Sequence, residues 1–249
     1  MAINSFKRKE IKFLLSVKQY KELLGEIDKH MEPDKFCIDG REYGVYNVYY
    51  DTEDSFLIRE SLAKPYFKEK LRLRSYFSPA SSEDTVFLGI KRKIGGIVTK
   101  RRVTMTLAEA EHYIATGEKP HSGKYITNQV FGELDIFLQN YDVSPVQYIS
   151  YQRTAFFGRD NKDFRLTFDR TITQRRCNLT LREESSGAQI IRPDQRLMEI
   201  KITDAMPMWL SNKLSELEIY KTSFSKYGKA YQSYVQEKIT NERGVYIYA

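Results

Sequence analysis

The sequence predicts an α+β fold: a mainly antiparallel sheet, with enough strands to form a closed antiparallel β-barrel and with helices packed outside it. Three observations lead to this prediction. Nine segments alternate apolar and polar residues with period two and are rich in β-branched and aromatic residues. Most of these segments follow one another through short connections, with helices inserted between groups of them. The 249 residues are 41% hydrophobic, which is enough for a sizeable core.

The individual elements follow from local patterns. Gly95-Gly96 separates two strands and predicts a hairpin. Two helices open on capping boxes, Ser16 with Gln19 and Thr106 with Glu109. The predicted strands are Lys7–Leu15, Tyr43–Asp51, Pro65–Phe77, Thr85–Lys93, Ile97–Thr104, Gln147–Phe157, Asp163–Asp169, Gln174–Arg182 and Arg196–Ile202. The predicted helices are Ser16–Met31, Thr106–Thr116, Asn128–Tyr141 and Met208–Glu218, with a further helical stretch at Phe224–Glu237. We find no repeat or linker and expect a single domain over residues 1–249.

Composition and charge indicate the cellular location of the protein and the kind of partner it binds. Lys and Arg total 40 against 33 for Asp and Glu, and the net charge of +7 suits an anionic partner. No run of about 18 apolar residues predicts a transmembrane helix. The first residues carry charges and lack the apolar region of a signal peptide. Cys37 and Cys177 lie far apart without metal-ligand spacing, so we expect no disulfide and a cytoplasmic location.

Basic side chains recur at alternate positions and so share one face of the predicted sheet. On Pro65–Phe77 this face carries Lys68, Lys70, Arg72 and Arg74. A solvated sheet face usually mixes both signs, because like charges on neighbouring strands repel. The basic excess therefore favours a tunnel whose wall a polyanion neutralises, although a half-exposed sheet with solvated charges is the ordinary alternative. Sparse carboxylates on the same face could supply oxygen ligands to a divalent cation; they are Glu10, Asp169 and Glu199.

Nine short motifs carry a family resemblance. In order they are RKEIKF at 8–13, VYYDT at 48–52, KLRLRSY at 70–76, IKRK at 90–93, TKRR at 99–102, YQRTAF at 151–156, LTFD at 166–169, LMEIKI at 197–202 and FSKY at 224–227. Together they resemble the triphosphate tunnel metalloenzyme superfamily. More closely, the chain is similar to the polyphosphate polymerase domain of the vacuolar transporter chaperone family in its stand-alone bacterial form.

This resemblance implies a tunnel that binds ATP and inorganic polyphosphate and transfers the γ-phosphoryl of ATP to the growing chain. Glu199 would hold Mn²⁺ or Mg²⁺, with Glu10 as a second metal ligand. No nucleic acid is expected as a partner, and a membrane partner protein and the oligomeric state are left open. The implied phosphate-binding residues are Lys12, Arg72, Arg74, Lys91, Lys100, Arg102, Arg153, Arg165, Lys201 and Lys226, of which Arg72, Arg74, Arg153 and Lys226 would be catalytic.

Two features bear on the type of activity. Relatives often carry a glutamate where this chain has Gly89, so that strand supplies no carboxylate. The first strand has the single acid Glu10, where the tripolyphosphatase and adenylate cyclase branches have two, which favours the polymerase. Two alternatives stay open: a hydrolase of tripolyphosphate or nucleoside triphosphates with the same fold, and a non-catalytic binder of polyphosphate or RNA in which some of the 18 tyrosines stack on bases.

Overall fold

The computed structural model describes residues 9–203 and 205–245. Lys7 and Arg8 of the first predicted strand lie outside these residues. The strands are β1 Lys9–Ser16, β2 Met31–Pro33, β3 Tyr43–Asp51, β4 Phe67–Ser75, β5 Thr85–Ile94, β6 Ile97–Thr106, β7 Ser144–Gly158, β8 Arg165–Arg175, β9 Ala188–Gln189, β10 Gln195–Ile202 and β11 Lys221–Thr222. The helices are α1 Val17–His30, α2 Phe56–Ala63, α3 Leu107–Thr116, α4 Tyr125–Asn140, α5 Met208–Glu216 and α6 Lys226–Val245.

All the strands belong to one antiparallel sheet. Its order is β11-β1-β10-β8-β7-β3-β4-β5-β6, with β2 paired to β7 and β9 paired to β8. The sheet curls toward its basic face, because Glu10 of β1 lies 3.4 Å from Lys100 of β6 and 3.8 Å from Lys91 of β5. Within the described residues no backbone pairing joins β1 or β11 to β6. The prediction of an antiparallel sheet is confirmed. Where the predicted barrel would close, the described parts of β1 and β6 are joined by side-chain ion pairs and not by backbone hydrogen bonds.

Three apolar cores hold the sheet in place. One lies between the convex face of β4, β5 and β6 and helices α3 and α4. A second joins the convex face of β1, β8 and β10 to α1 and α5. The third lies on the concave face, where Val45, Tyr151 and Leu197 pack against Ile58 of α2 and Tyr227 of α6. The prediction that the helices pack outside is therefore correct for α1, α3, α4 and α5 and wrong for the start of α6. Helix α2, which the sequence analysis did not predict, contributes Leu57 to the first core and Ile58 to the third.

Both predicted capping boxes are present. Ser16 caps α1 with Gln19, and Thr106 caps α3 with Glu109. The Gly95-Gly96 hairpin also forms between β5 and β6. Among the residues described, no helix is long and apolar enough to cross a membrane. The cysteines are free, with Cys37 buried and Cys177 exposed.

The predicted strand Gln174–Arg182 is wrong. Strand β8 ends at Arg175, and the following residues form a loop around that side chain. The Arg175 guanidinium donates hydrogen bonds to the carbonyls of residues 177, 178, 180, 184 and 186. It also lies 3.6 Å from the ring centre of Tyr148. A polar hub of this kind satisfies backbone groups that a strand would otherwise pair.

Candidate functional site: a basic channel

The concave face of the sheet carries three consecutive inward cations on β4. Arg74 donates hydrogen bonds to Asn47 Oδ1 at 2.9 Å and to the Tyr151 hydroxyl at 3.1 Å. Arg72 lies against the hydroxyl of Tyr49. The Lys70 ammonium sits 5.4 Å from the ring centre of Tyr227. In the described part of the chain no carboxylate forms an ion pair with any of these three cations, and the Asp51 carboxylate only partly offsets the charge of Lys70.

Burial and mutual repulsion lower the pKa values of Lys70 and Arg72. The pKa of Arg74 is raised instead, because the neighbouring tyrosines, chiefly Tyr151, together outweigh its burial. Burial, and then the charges of Lys91, Lys68 and Lys12, lower the pKa of Lys70 to about 7. The pKa of Lys91 falls to about 8, chiefly through burial, although its side chain keeps 44% of its accessible surface because the channel is open to water. Burial and the neighbouring Arg74 lower the pKa of Arg72. A multivalent anion in the channel would relieve this repulsion.

Two carboxylates face this basic wall from β1 and β10. The Lys12 ammonium lies 3.2 Å from Glu10 and 3.7 Å from Glu199, so the two acids already share one cation. Lys201 binds Glu199 at 2.7 Å. Burial opposes ionisation of Glu199, but Lys201 and Lys12 hold its pKa well below the ordinary value. Burial and Glu199 likewise oppose ionisation of Glu10, and Lys91, Lys12 and Lys100 still lower its pKa.

Glu10 and Glu199 fit the role of two ligands to a divalent cation whose remaining ligands come from the substrate. No group of three or more His, Cys, Asp or Glu side chains with metal-binding geometry occurs among the described residues. Mg²⁺ is usually held by one or two carboxylates, with substrate phosphates and waters as the remaining ligands. Glu10 and Glu199 are ionised oxygen donors placed around a single cation, which matches this pattern.

Asp169 of β8 organises the middle of the channel. Its carboxylate is fully buried and accepts hydrogen bonds from Arg153 Nε at 2.6 Å and Arg153 Nη2 at 2.8 Å. Lys226 donates a third hydrogen bond to it at 2.5 Å. Both cations also lie against the Tyr151 ring, at 5.0 and 4.4 Å from its centre. FSKY follows the last predicted strand, and this predicts that Lys226 lies outside the barrel wall, at a tunnel mouth. That prediction is wrong, because Lys226 begins α6 on the concave face.

Two further arginines, Arg165 of β8 and Arg102 of β6, lie on the same face of the sheet. Arg165 Nη2 lies 3.4 Å from both Asp34 and the Tyr43 hydroxyl, while its Nε is buried without a hydrogen-bond partner. Arg102 stacks 4.8 Å from the ring centre of Phe87. Gly89 explains how Arg102 comes so close to β5. A Cβ at this position would stand 2.9 Å from the Arg101 carbonyl and 3.1 Å from Arg102 Cβ, so a glutamate there would force the two strands apart.

Asp51 is a buried residue of the site that the sequence analysis missed. Its side chain accepts hydrogen bonds from the backbone of Thr52, Leu57 and Ile58 at 2.8–2.9 Å and from the Tyr227 hydroxyl at 2.7 Å. It thereby caps α2 and fixes the first turn of α6 beside Lys70. The only local signal was a polar residue at the end of the VYYDT strand.

The structure brings the predicted site residues together on one concave face. Glu10, Lys12, Lys91, Lys100, Glu199 and Lys201 form one ion-pair network. The Tyr151 side chain joins Arg74 to Arg153 and Lys226. Arg72 stands beside this second group. Arg102 stacks on Phe87, and Arg165 lies against Tyr43.

Comparisons with known proteins agree with this architecture. No curated protein matches the sequence. A candidate adenylate cyclase from Bacillus halodurans has a similar structure, with a TM-score of 0.53 and 15% identity over 88% of this chain and 95% of that one. A candidate adenylyl cyclase from Hippeastrum, described as having a dominant triphosphatase activity, gives a TM-score of 0.50 and 13% identity over 90% of this chain and 95% of that one. Both likenesses concern the fold. The VTC domain family matches residues 7–235, which is most of the chain, and the protein belongs to that family.

Proposed function

We propose that the channel binds the phosphate chains of ATP and inorganic polyphosphate, and that it transfers the γ-phosphoryl of ATP to the polyphosphate end with the help of a divalent cation. The observation that carries this proposal is the set of inward cations without counter-ions, Lys70, Arg72 and Arg74. Membership of the VTC-domain family supports it. The free thiols of Cys37 and Cys177 support a cytoplasmic setting.

The chemistry requires positioning and charge stabilisation more than covalent help. Arg72 and Arg74 stand two residues apart on one strand face, so their guanidinium groups can bind successive phosphates through paired N–H donors. Lys70 and Lys91 add point charges in the same wall. A divalent cation bound by Glu10 and Glu199 would neutralise charge on phosphate oxygens.

Arg153 and Lys226 are held in place before any ligand arrives. Both pair with the buried Asp169, and both contact Tyr151. Preorganised donors of this kind stabilise charge without reorganising during the reaction. The terminal phosphate of a polyphosphate chain is itself a nucleophile, so the site needs no serine or cysteine.

A triphosphate hydrolase is the second candidate. The start of α6 and helix α2 pack an apolar core onto the concave face, around Tyr151 and Tyr227. Such a filled end suits a short ligand that enters and leaves by the same mouth. The Hippeastrum protein of similar fold, with its dominant triphosphatase activity, gives this candidate some support.

One assay separates the two activities. The purified protein is incubated with ATP and Mn²⁺, with and without a short polyphosphate primer, and long polymer and free phosphate are measured in parallel. Polymer that lengthens with time, together with ADP, supports the polymerase. Free phosphate without polymer supports the hydrolase. Binding without turnover in either assay would identify a non-catalytic polyphosphate binder.

A further inference from the structure

We infer that one mouth of the channel is a nucleobase-binding site, built from the aromatic side chains Phe36, Tyr43, Tyr76 and Phe87. This aromatic rim would stack the base of a nucleoside triphosphate whose phosphates lie among the channel cations. The inference rests on the proposed function and specifies its donor as a nucleotide rather than tripolyphosphate.

The four rings form a continuous chain of edge-to-face contacts. The centroid distances are 6.1 Å from Phe36 to Tyr43, 5.9 Å from Tyr43 to Tyr76 and 5.7 Å from Tyr76 to Phe87. The interplanar angles of 66–74° are those of T-shaped pairs, which aromatic rings favour. Each ring is therefore held by its neighbour, and a ligand that stacks on one of them would lose little side-chain entropy.

The rim is not part of the folding core. Phe36, Tyr76 and Phe87 are absent from the three apolar cores, and only Tyr43 packs at the edge of one of them. Phe36 is 60% exposed and Tyr76 is 38% exposed. Grouped exposed aromatic rings of this kind mark binding surfaces more often than single exposed residues do.

The rim continues directly into the phosphate channel. Tyr76 follows Arg74 by two residues, about 7 Å along the chain, and shares its inward direction. The Tyr43 hydroxyl lies 3.4 Å from Arg165, and Arg102 stacks on Phe87. Cations therefore lie directly inside the aromatic rim. A nucleotide bound here would place its base on the rings and its phosphates among these cations.

The rim also lies away from the Tyr227 ring. Along β3 the inward positions run from Tyr43 to Tyr49, and Tyr49 stacks on Tyr227 of α6 at 4.8 Å. Six residues of strand separate these two tyrosines by about 20 Å. Tyr227 of α6 therefore lies toward the other end of β3. The first residue of α6, Lys226, reaches closer to the rim, because its partner Asp169 pairs with Arg153 and Arg153 pairs with Tyr43. The rim itself is open to a ligand, since Phe36 and Tyr76 are exposed.

The test compares ligands with and without a base. Dissociation constants for Mg²⁺–ATP and Mg²⁺–tripolyphosphate are measured by calorimetry for the wild type, Tyr76→Leu, Phe36→Leu and a control, Phe77→Leu. Phe77 is 51% exposed and adjoins Tyr76 in sequence, but it makes no ring contact within the rim. We expect Tyr76→Leu and Phe36→Leu each to weaken ATP binding about 5- to 100-fold. Tripolyphosphate binding should stay within about twofold, and Phe77→Leu should change neither constant.

The possible results distinguish a failure of the nucleobase site from a failure of the proposed phosphate channel. If the rim variants leave ATP binding unchanged, or weaken ATP and tripolyphosphate equally, the nucleobase site is rejected. Equal wild-type affinities for the two ligands also reject it, while the phosphate channel stands. If the wild type binds neither ligand, the proposed function is rejected together with the site. Circular dichroism melting of each variant shows whether a change in affinity comes from misfolding.

Discussion

Lys226 at the first position of α6 donates a 2.5 Å hydrogen bond to Asp169 in the middle of β8. The two residues are 57 positions apart in the chain, and both are buried side chains of the channel. Because Arg153 binds the same carboxylate, one acid holds two cations in fixed positions.

Replacing Asp169 should destabilise the fold. Asp169→Asn leaves Arg153 and Lys226 buried without their counter-ion, and breaking a buried pair in this way costs about 3–5 kcal/mol. Denaturant unfolding measures the change. The control is Asp194→Asn, which removes the carboxylate of an exposed pair with Arg192 and should change stability by less than about 1 kcal/mol. Equal effects of the two substitutions would contradict the role of Asp169.

Removing Lys226 should affect both synthesis and stability. We expect Lys226→Ala to lower the synthesis of long polyphosphate strongly. Its place in a buried ion pair also predicts a lower melting temperature, whereas a surface lysine would leave stability unchanged. The loss should be smaller than for Asp169→Asn, because Asp169 keeps Arg153. Full polymer synthesis by Lys226→Ala would exclude Lys226 from the reaction.

Glu199→Gln should abolish metal-dependent turnover and weaken Mn²⁺ binding, because it removes one of the two carboxylates proposed as metal ligands at nearly constant volume. Electron paramagnetic resonance reports the bound Mn²⁺ directly, independent of activity. Glu133→Gln is the matched control, since Glu133 also pairs with two basic residues, Arg92 and Arg101, on the convex face. Mn²⁺ affinity that is unchanged in Glu199→Gln would remove Glu199 from the metal site.

Arg72→Ala and Arg153→Ala should both weaken binding of ATP or polyphosphate by about 1.5–3 kcal/mol. Their effects on stability should differ. Arg72 has no carboxylate partner among residues 9–203 and 205–245, whereas Arg153→Ala breaks the pair with Asp169 and should also lower the free energy of unfolding. Calorimetry and unfolding curves of the two variants test this difference. If neither variant weakens binding, the assignment of the phosphate wall fails.

Phosphate binding should take up protons near pH 8. With a pKa of about 7, Lys70 is largely neutral at pH 8 in the free protein, and a bound anion favours its ammonium form. Below about pH 6 Lys70 is already charged, so its share of the uptake should vanish. Calorimetry in two buffers of different protonation enthalpy measures the number of protons. Lys70→Met should take up fewer than the wild type or the exposed-lysine variant Lys18→Met, and an unchanged number would contradict the low pKa.

The strands and the polar face were predictable because both depend on local alternation. The face assigned to Lys70, Arg72 and Arg74 is the concave face of the structure. Helix α2 was not predictable, because its cap is not local. Ser55 at its N-terminus makes no side-chain cap, and the carboxylate of Asp51, six residues before Leu57, takes that role.

The features that were predicted wrongly or left open depend on contacts between residues that are far apart in the chain. Lys226 lies inward, where it pairs with Asp169, a residue far away in the chain. The seam between β1 and β6 depends on Glu10 reaching Lys91 and Lys100, and no pattern within one strand reveals that reach. The aromatic rim combines one residue each from β3 and β5 with Phe36 of a loop and Tyr76 just after β4, so its rings look unrelated when the sequence is taken alone.

The pairing of β1 with β10 also sets the order of events during synthesis. Residues 9–16 are made before their strand partner, residues 195–202, which follows nearly two hundred residues later. Until then the first strand has an open edge, and such edges invite pairing with other chains. The partner of the Lys12 side chain is made later still, since the Lys12 ammonium binds the carbonyl of Phe224. Nascent chains that stall before residue 195 should therefore depend on chaperones more than the finished protein does.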